Sequence, residues 1–135
     1  RGQVIEAIRS RYPAGTIYMR DPSDRAAAIL RRKVATGKAL AVATMACGLA
    51  RQAKTALIPV NQGFSGFSAF DPARNFAADM ARCLESRGKR HLVMCHPGHV
   101  DEELARIDPV TSTRLIEWAM LAKTELKGMC RFAML

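Results

Sequence analysis

Three short runs rich in β-forming residues, separated by helical stretches, constrain this chain more than any other feature. Residues 16–20 (Thr-Ile-Tyr-Met-Arg), 56–60 (Ala-Leu-Ile-Pro-Val) and 91–96 (His-Leu-Val-Met-Cys-His) read as strands, the second made imperfect by Pro59. Between them the spacing predicts helices. The first carries Val4, Ile5 and Ile8 on one face and closes at Pro13-Ala-Gly15. Asp21-Pro-Ser-Asp24 supplies turn and cap chemistry for a second over residues 25–35, broken at Thr36-Gly37, and a third covers residues 39–54. Residues 61–70 show no period and read as a loop, with Phe64, Phe67 and Phe70 set among Gly and Ser. A fourth helix opens at Asp71-Pro72, lines up Phe76, Ala77, Met80 and Leu84, and stops at Arg87-Gly88. Past the acidic stretch Asp101-Glu-Glu103, a last helix over residues 111–123 turns Leu115, Trp118 and Leu121 or Ala122 to one side. Strands alternating with helical crossovers make parallel β/α units. A closed barrel of such units takes eight strands and about 250 residues, more than this chain has.

Composition narrows the class without naming an activity. A chain that is 49% hydrophobic and 24% charged is an ordinary globular sequence, not a disordered tail or a small disulfide scaffold. The net charge of +9 raises nucleic acid or an anionic surface as partners, so a small basic binding module without catalysis is the alternative function. Residues 1–54 hold eleven basic and three acidic side chains, hence nearly all of the excess. Apart from Arg31-Arg-Lys33 the cations are scattered and no nucleic-acid motif appears, so solvated helix faces are the expectation and nucleic acid is not an expected partner. Cys47, Cys83, Cys95 and Cys130 form no C-x-x-C pair and sit in apolar stretches, which reads as buried reduced thiols in a cytoplasmic protein. The uncharged apolar helical stretch over residues 39–50 is too short for a membrane span.

In β/α folds, reactive side chains collect where strands end. Here those ends deliver Arg20, Asn61 and His96. Alternation along residues 91–96 puts Leu92, Met94 and His96 on one face and His91, Val93 and Cys95 on the other, so Cys95 and His96 are not by themselves a nucleophile and base. A Cys95 hydrolase would need a base from elsewhere. Pro97-Gly98 turns the chain directly after His96, leaving an imidazole at the sheet edge for acid–base work or for holding the turn. His96 and His99 are too few to make a metal site. Arg20 beside Asp21 suits a polar substrate or a surface ion pair, and the aromatic loop suits a sugar face or a tucked core.

The run His91-Leu-Val-Met-Cys-His-Pro-Gly98 followed by Asp101-Glu-Glu-Leu104 resembles the C-terminal signature of the YdjC-like carbohydrate deacetylases, which include chitooligosaccharide and hopanoid-associated deacetylases. Tyr18-Met-Arg-Asp-Pro22 and Val60-Asn-Gln-Gly-Phe-Ser-Gly-Phe67 resemble further family motifs in the same order. The resemblance implies a deformed (β/α) barrel that removes the acetyl group from an N-acetylated sugar with a divalent metal, Mg or Zn. A metal-bound water attacks the amide carbonyl, an acidic residue takes its proton, and a protonated His assists departure of the amine. By position His96 is that His, catalytic without being a metal ligand; Arg20 and Asn61 line the pocket; Phe64 and Phe67 lie over the sugar. The family's Asp-Asp motif and paired His separated by one residue do not occur here. The stretch from Gly2 to Arg11 resembles the helix that follows that His pair, so the metal ligands are expected upstream of Arg1. Residues 1–135 are thus expected to be a single incomplete domain, the C-terminal half of the barrel, inactive alone and binding no metal tightly. The apolar surfaces that half a barrel exposes suggest a homodimer.

Overall fold

The computed structural model describes residues 2–123 of the 135. Among them lie seven helices and one two-stranded parallel sheet, an α/β arrangement. In chain order they are α1 (Gly2–Arg11), α2 (Ala26–Arg32), α3 (Thr36–Met45), α4 (Leu49–Thr55), β1 (Phe64–Ser65), α5 (Phe76–Cys83), β2 (Leu92–Val93), α6 (Glu102–Ile107) and α7 (Arg114–Lys123). β1 and β2 run parallel with Phe64 opposite Leu92 and Ser65 opposite Val93. Met19 and Val60 form a further parallel bridge, in which the Met19 N–H donates to the Pro59 carbonyl at 2.9 Å. The three extended segments therefore meet in chain order, with residues 59–65 shared between the other two.

Several boundaries differ from the sequence reading, each for a local reason. The expected loop over residues 61–70 contains β1, because Gly63 and Gly66 take φ of 101° and 95° and set an extended pair between them. Both β1 side chains are buried, so no alternation exists to be read. At Gly66 a Cβ would collide with the carbonyl of Met94, so only glycine lets this loop lie against the chain that follows β2. Of residues 56–60, only Val60 pairs; Ala56 caps α4 and Leu57 takes a φ of 58°. The helix expected over residues 39–54 is two helices, parted at Gly48 with φ of 85°, and it starts at Thr36 because Ala35 makes the left-handed break. Asp71 folds back on the Ala73 N–H in a turn, and Asn75 caps α5 by accepting from the Ala78 N–H. Asp101 caps α6 in the same way, through the Leu104 N–H.

Two apolar clusters hold these elements. Ile29, Ala39, Phe64 and Phe67 are buried together, with Leu40, Val42, Leu92 and Met94 packed against them, so α2 and α3 cover the sheet. Ile5, Ala53 and Ile58 form the second with Ile8, Met19 and Val60, joining α1 and α4 to the first extended segments. No helix among the described residues is long and apolar enough to cross a membrane.

Candidate functional site

Asn61 follows the Met19–Val60 bridge and is 4% exposed. Its Oδ1 accepts from the Tyr18 hydroxyl at 3.1 Å and the Asp21 N–H at 2.7 Å, while its Nδ2 donates to the carbonyls of Asp21 at 2.7 Å and Gly63 at 2.9 Å. All four of its hydrogen-bonding positions are used. The side chain clasps the end of the first extended segment to the second, and it forms part of the wall of an open cleft of about 1050 Å³ that also includes Asp21, Asp24, Gly63, Arg51 and Arg90. Arg20 is exposed, with its guanidinium over the Phe64 ring at 5.8 Å from the centroid. Phe64 and Phe67 are 2% and 8% exposed, their rings 5.2 Å apart at 56°, within the core beneath that guanidinium.

Below the clasp lies a buried polar group that the sequence did not reveal. Asp24, Arg32 and His91 have side chains only 6%, 3% and 3% exposed. Arg32 Nη1 sits 2.7 Å from Asp24 Oδ2, and the guanidinium also donates to the carbonyls of Phe64, Glu85 and Ser86. His91 Nε2 is 2.8 Å from Ser65 Oγ, which donates its hydrogen to the Cys83 carbonyl at 2.9 Å. With that hydrogen committed, the imidazole must be the donor, so neutral His91 carries its proton on Nε2 and leaves Nδ1 bare. Nδ1 accordingly has no hydrogen-bond partner and faces Asp24 Oδ2 at 3.9 Å. Gly63 makes room for this meeting, since a Cβ there would stand 2.6 Å from Nδ1.

Ser65, His91 and Asp24 are the residue types of a hydrolase triad, but the geometry is structural. Ser65 is 4% exposed, its proton is given to a main-chain carbonyl, and the His–Asp link is longer than a hydrogen bond. Burial, reinforced by Arg32 and opposed by Asp24, pushes the His91 imidazole below its usual value. The unfolded chain then binds a proton that the folded chain does not. Stability is full above about pH 6.5 and falls as pH drops through that value, at a limiting slope of about 1.4 kcal/mol per pH unit until folded His91 also protonates. Urea midpoints taken from pH 8 to pH 5 should fall more steeply in the wild type than in His91→Gln; identical profiles would refute the assignment.

The third group surrounds His96. Beyond β2 the Met94 N–H still bonds the Ser65 carbonyl at 2.9 Å, and two residues later the His96 ring meets Phe70 edge-on, centroids 5.2 Å apart at 81°. Phe70 is fixed in turn by Ser68, Ser112 and the Lys38 ammonium 4.8 Å from its ring. The His96 N–H donates to Glu117 Oε2 on α7 at 2.5 Å. The sequence pattern of α7 is inverted here: Leu115 and Trp118 are 50% and 45% exposed, whereas Glu117 is 1% exposed. That inward turn gives the carboxylate the His96 N–H and the Thr113 hydroxyl.

The described residues do not suit a divalent metal. No group of three or more His, Cys, Asp or Glu among them converges on one point, and the rings of His96 and His99 lie against different aromatics, Phe70 and Trp118. The ligands expected upstream of Arg1, and Arg1 itself, lie outside the described residues, which begin at Gly2. Of the thiols, Cys83 is buried, with burial pushing its pKa up, Cys95 is half-buried, and Cys47 is exposed, contrary to the expectation of burial. Cys130 lies outside the described residues.

Comparison with known proteins bears on what these groups do. A family model described as YdjC-like protein matches residues 1–131. No curated protein and no solved structure gives a significant match. With nearly its whole length matched, and with the Tyr18–Pro22, Val60–Phe67 and His91–Gly98 motifs meeting around one small parallel sheet, the chain belongs to the YdjC-like family and has a carbohydrate-related function.

Proposed function

We propose that this chain forms one wall of the active site of a metal-dependent carbohydrate deacetylase with a deformed (β/α) barrel, and that His96 is its general acid. The observation that carries the reading is the setting of His96: three residues past β2, its N–H held by Glu117 and its ring braced by Phe70. Hydrolysis of an N-acetyl group breaks the amide C–N bond, and the departing nitrogen must take a proton to leave as an amine. An imidazolium at His96 delivers it. Arg20 and Asn61 border the sugar, Arg20 as an exposed donor and Asn61 by fixing the backbone at Asp21. Phe64 and Phe67 support that border from within the core. The metal, Mg or Zn, is held in this reading by residues upstream of Arg1.

The intact enzyme supplied with either metal should release acetate from an N-acetylated chito-oligosaccharide. Residues 1–135 alone should neither retain stoichiometric zinc nor release acetate. If the intact protein releases none, and instead binds nucleic acid with an affinity that collapses between about 50 and 200 mM salt, the basic binding module is the correct reading.

A further inference from the structure

Glu117 is the largest side chain buried below 2% exposure among the described residues, yet it ends in a carboxylate. Removing a carboxylate from water is strongly unfavourable, and an apolar residue at this position of α7 would pack without that penalty. No Lys or Arg of the described residues forms an ion pair with it. Its Oε2 instead takes the His96 N–H at 2.5 Å and its Oε1 the Thr113 hydroxyl at 3.4 Å. The turn it grips has few handles. Pro97 has no N–H, so the turn offers only the donors of His96 and Gly98, and both go to α7: His96 to Glu117, and Gly98 to the Arg114 carbonyl at 3.3 Å. Arg114 is itself tied to Asp108 and to the Val110 carbonyl, which anchors this end of α7.

We infer that Glu117 is a positioning residue for His96, fixing through the main chain where the imidazole stands. The inference rests on the reading of His96 as general acid. Glu117 does not touch the substrate; its part is to keep the His96 backbone, flanked by a rigid Pro, in the one orientation that sets the ring against Phe70. A displacement of about 1 Å at a proton donor is enough to lower turnover by about 100-fold.

In the intact enzyme, Glu117→Gln keeps an oxygen acceptor and should retain kcat within about 3-fold, whereas Glu117→Leu removes it and should lower kcat by about 10- to 100-fold with KM little changed. The His96 amide proton, followed by ¹⁵N–¹H NMR without substrate, should move upfield in Glu117→Leu as the bond to the carboxylate is lost. Thermal melts of both variants should stay near the wild type. An unchanged His96 amide or an unchanged kcat in Glu117→Leu overturns the inference. So do equal kcat losses in both variants accompanied by lowered melting, which mark a structural role. Absence of acetate release by the wild type, with the amide responding as expected, would sink the deacetylase reading and the positioning role with it, while leaving the hydrogen bond itself established.

Discussion

His96→Ala in the intact enzyme should reduce kcat on an N-acetylated amino sugar by about 10²- to 10⁴-fold, the usual loss when a positioned general acid is removed. The leaving amine is the difficult part of amide hydrolysis: without a proton on nitrogen the tetrahedral intermediate expels the oxygen that attacked and returns to the amide instead of breaking its C–N bond. The substitution leaves the backbone N–H and its bond to Glu117 in place, so the turn should persist. What is lost structurally is one edge-on contact with Phe70, about 0.5–1.5 kcal/mol. Turnover and stability are therefore affected very unequally. Metal content measured by elemental analysis should equal that of the wild type, and its loss would make His96 a ligand instead of an acid. Unchanged turnover would remove His96 from the chemistry altogether.

The largest effect on stability is expected from Arg32→Met, at about 3–5 kcal/mol, because it leaves the Asp24 carboxylate buried without its cation. The same substitution frees the carbonyls of Phe64, Glu85 and Ser86, which the guanidinium ties to α2. Against a typical total of about 5–15 kcal/mol, such a loss leaves little folded margin. Adding Asp24→Asn should recover part of it, since the second substitution removes the stranded charge, and the non-additivity measures the pair. Urea unfolding of the four proteins in that cycle provides the check. A penalty for Arg32→Met below about 1 kcal/mol would show that water, not Arg32, satisfies Asp24.

The helices were more legible than the sheet. Ile5 and Ile8 of α1 repeat at helical spacing and pack in the core as read, although Val4, read on the same face, is 59% exposed. A two-residue strand such as Phe64–Ser65 has no period, and its identity depends on the backbone freedom of flanking glycines and on Leu92 arriving beside it. The turn after His96 was legible from its Pro-Gly, but the strand read over residues 91–96 is paired only at Leu92–Val93 and ends three residues before His96. The neighbours of His96 were not legible. Asp24, Arg32, Ser65 and His91 come together from three separate segments, and nothing local distinguishes Arg32 from the exposed Arg31 beside it. Glu117 was hidden by pattern, since charge among apolar residues on a terminal helix normally marks the solvent side. Its reversal follows from a need outside the helix, the N–H of His96.

The missing Cβ at Gly66 has a mechanical consequence. Because the loop backbone lies directly on the backbone of Met94, the aromatic loop and the chain leading to His96 slide or tilt only as one piece. The contact of Phe70 with the His96 ring closes the far end of the same piece. In the proposed deacetylase, a sugar approaching this wall would meet His96 and its aromatic brace together, and adjustment to substrates of different size would have to come from exposed side chains such as Arg20 or from the surface facing it.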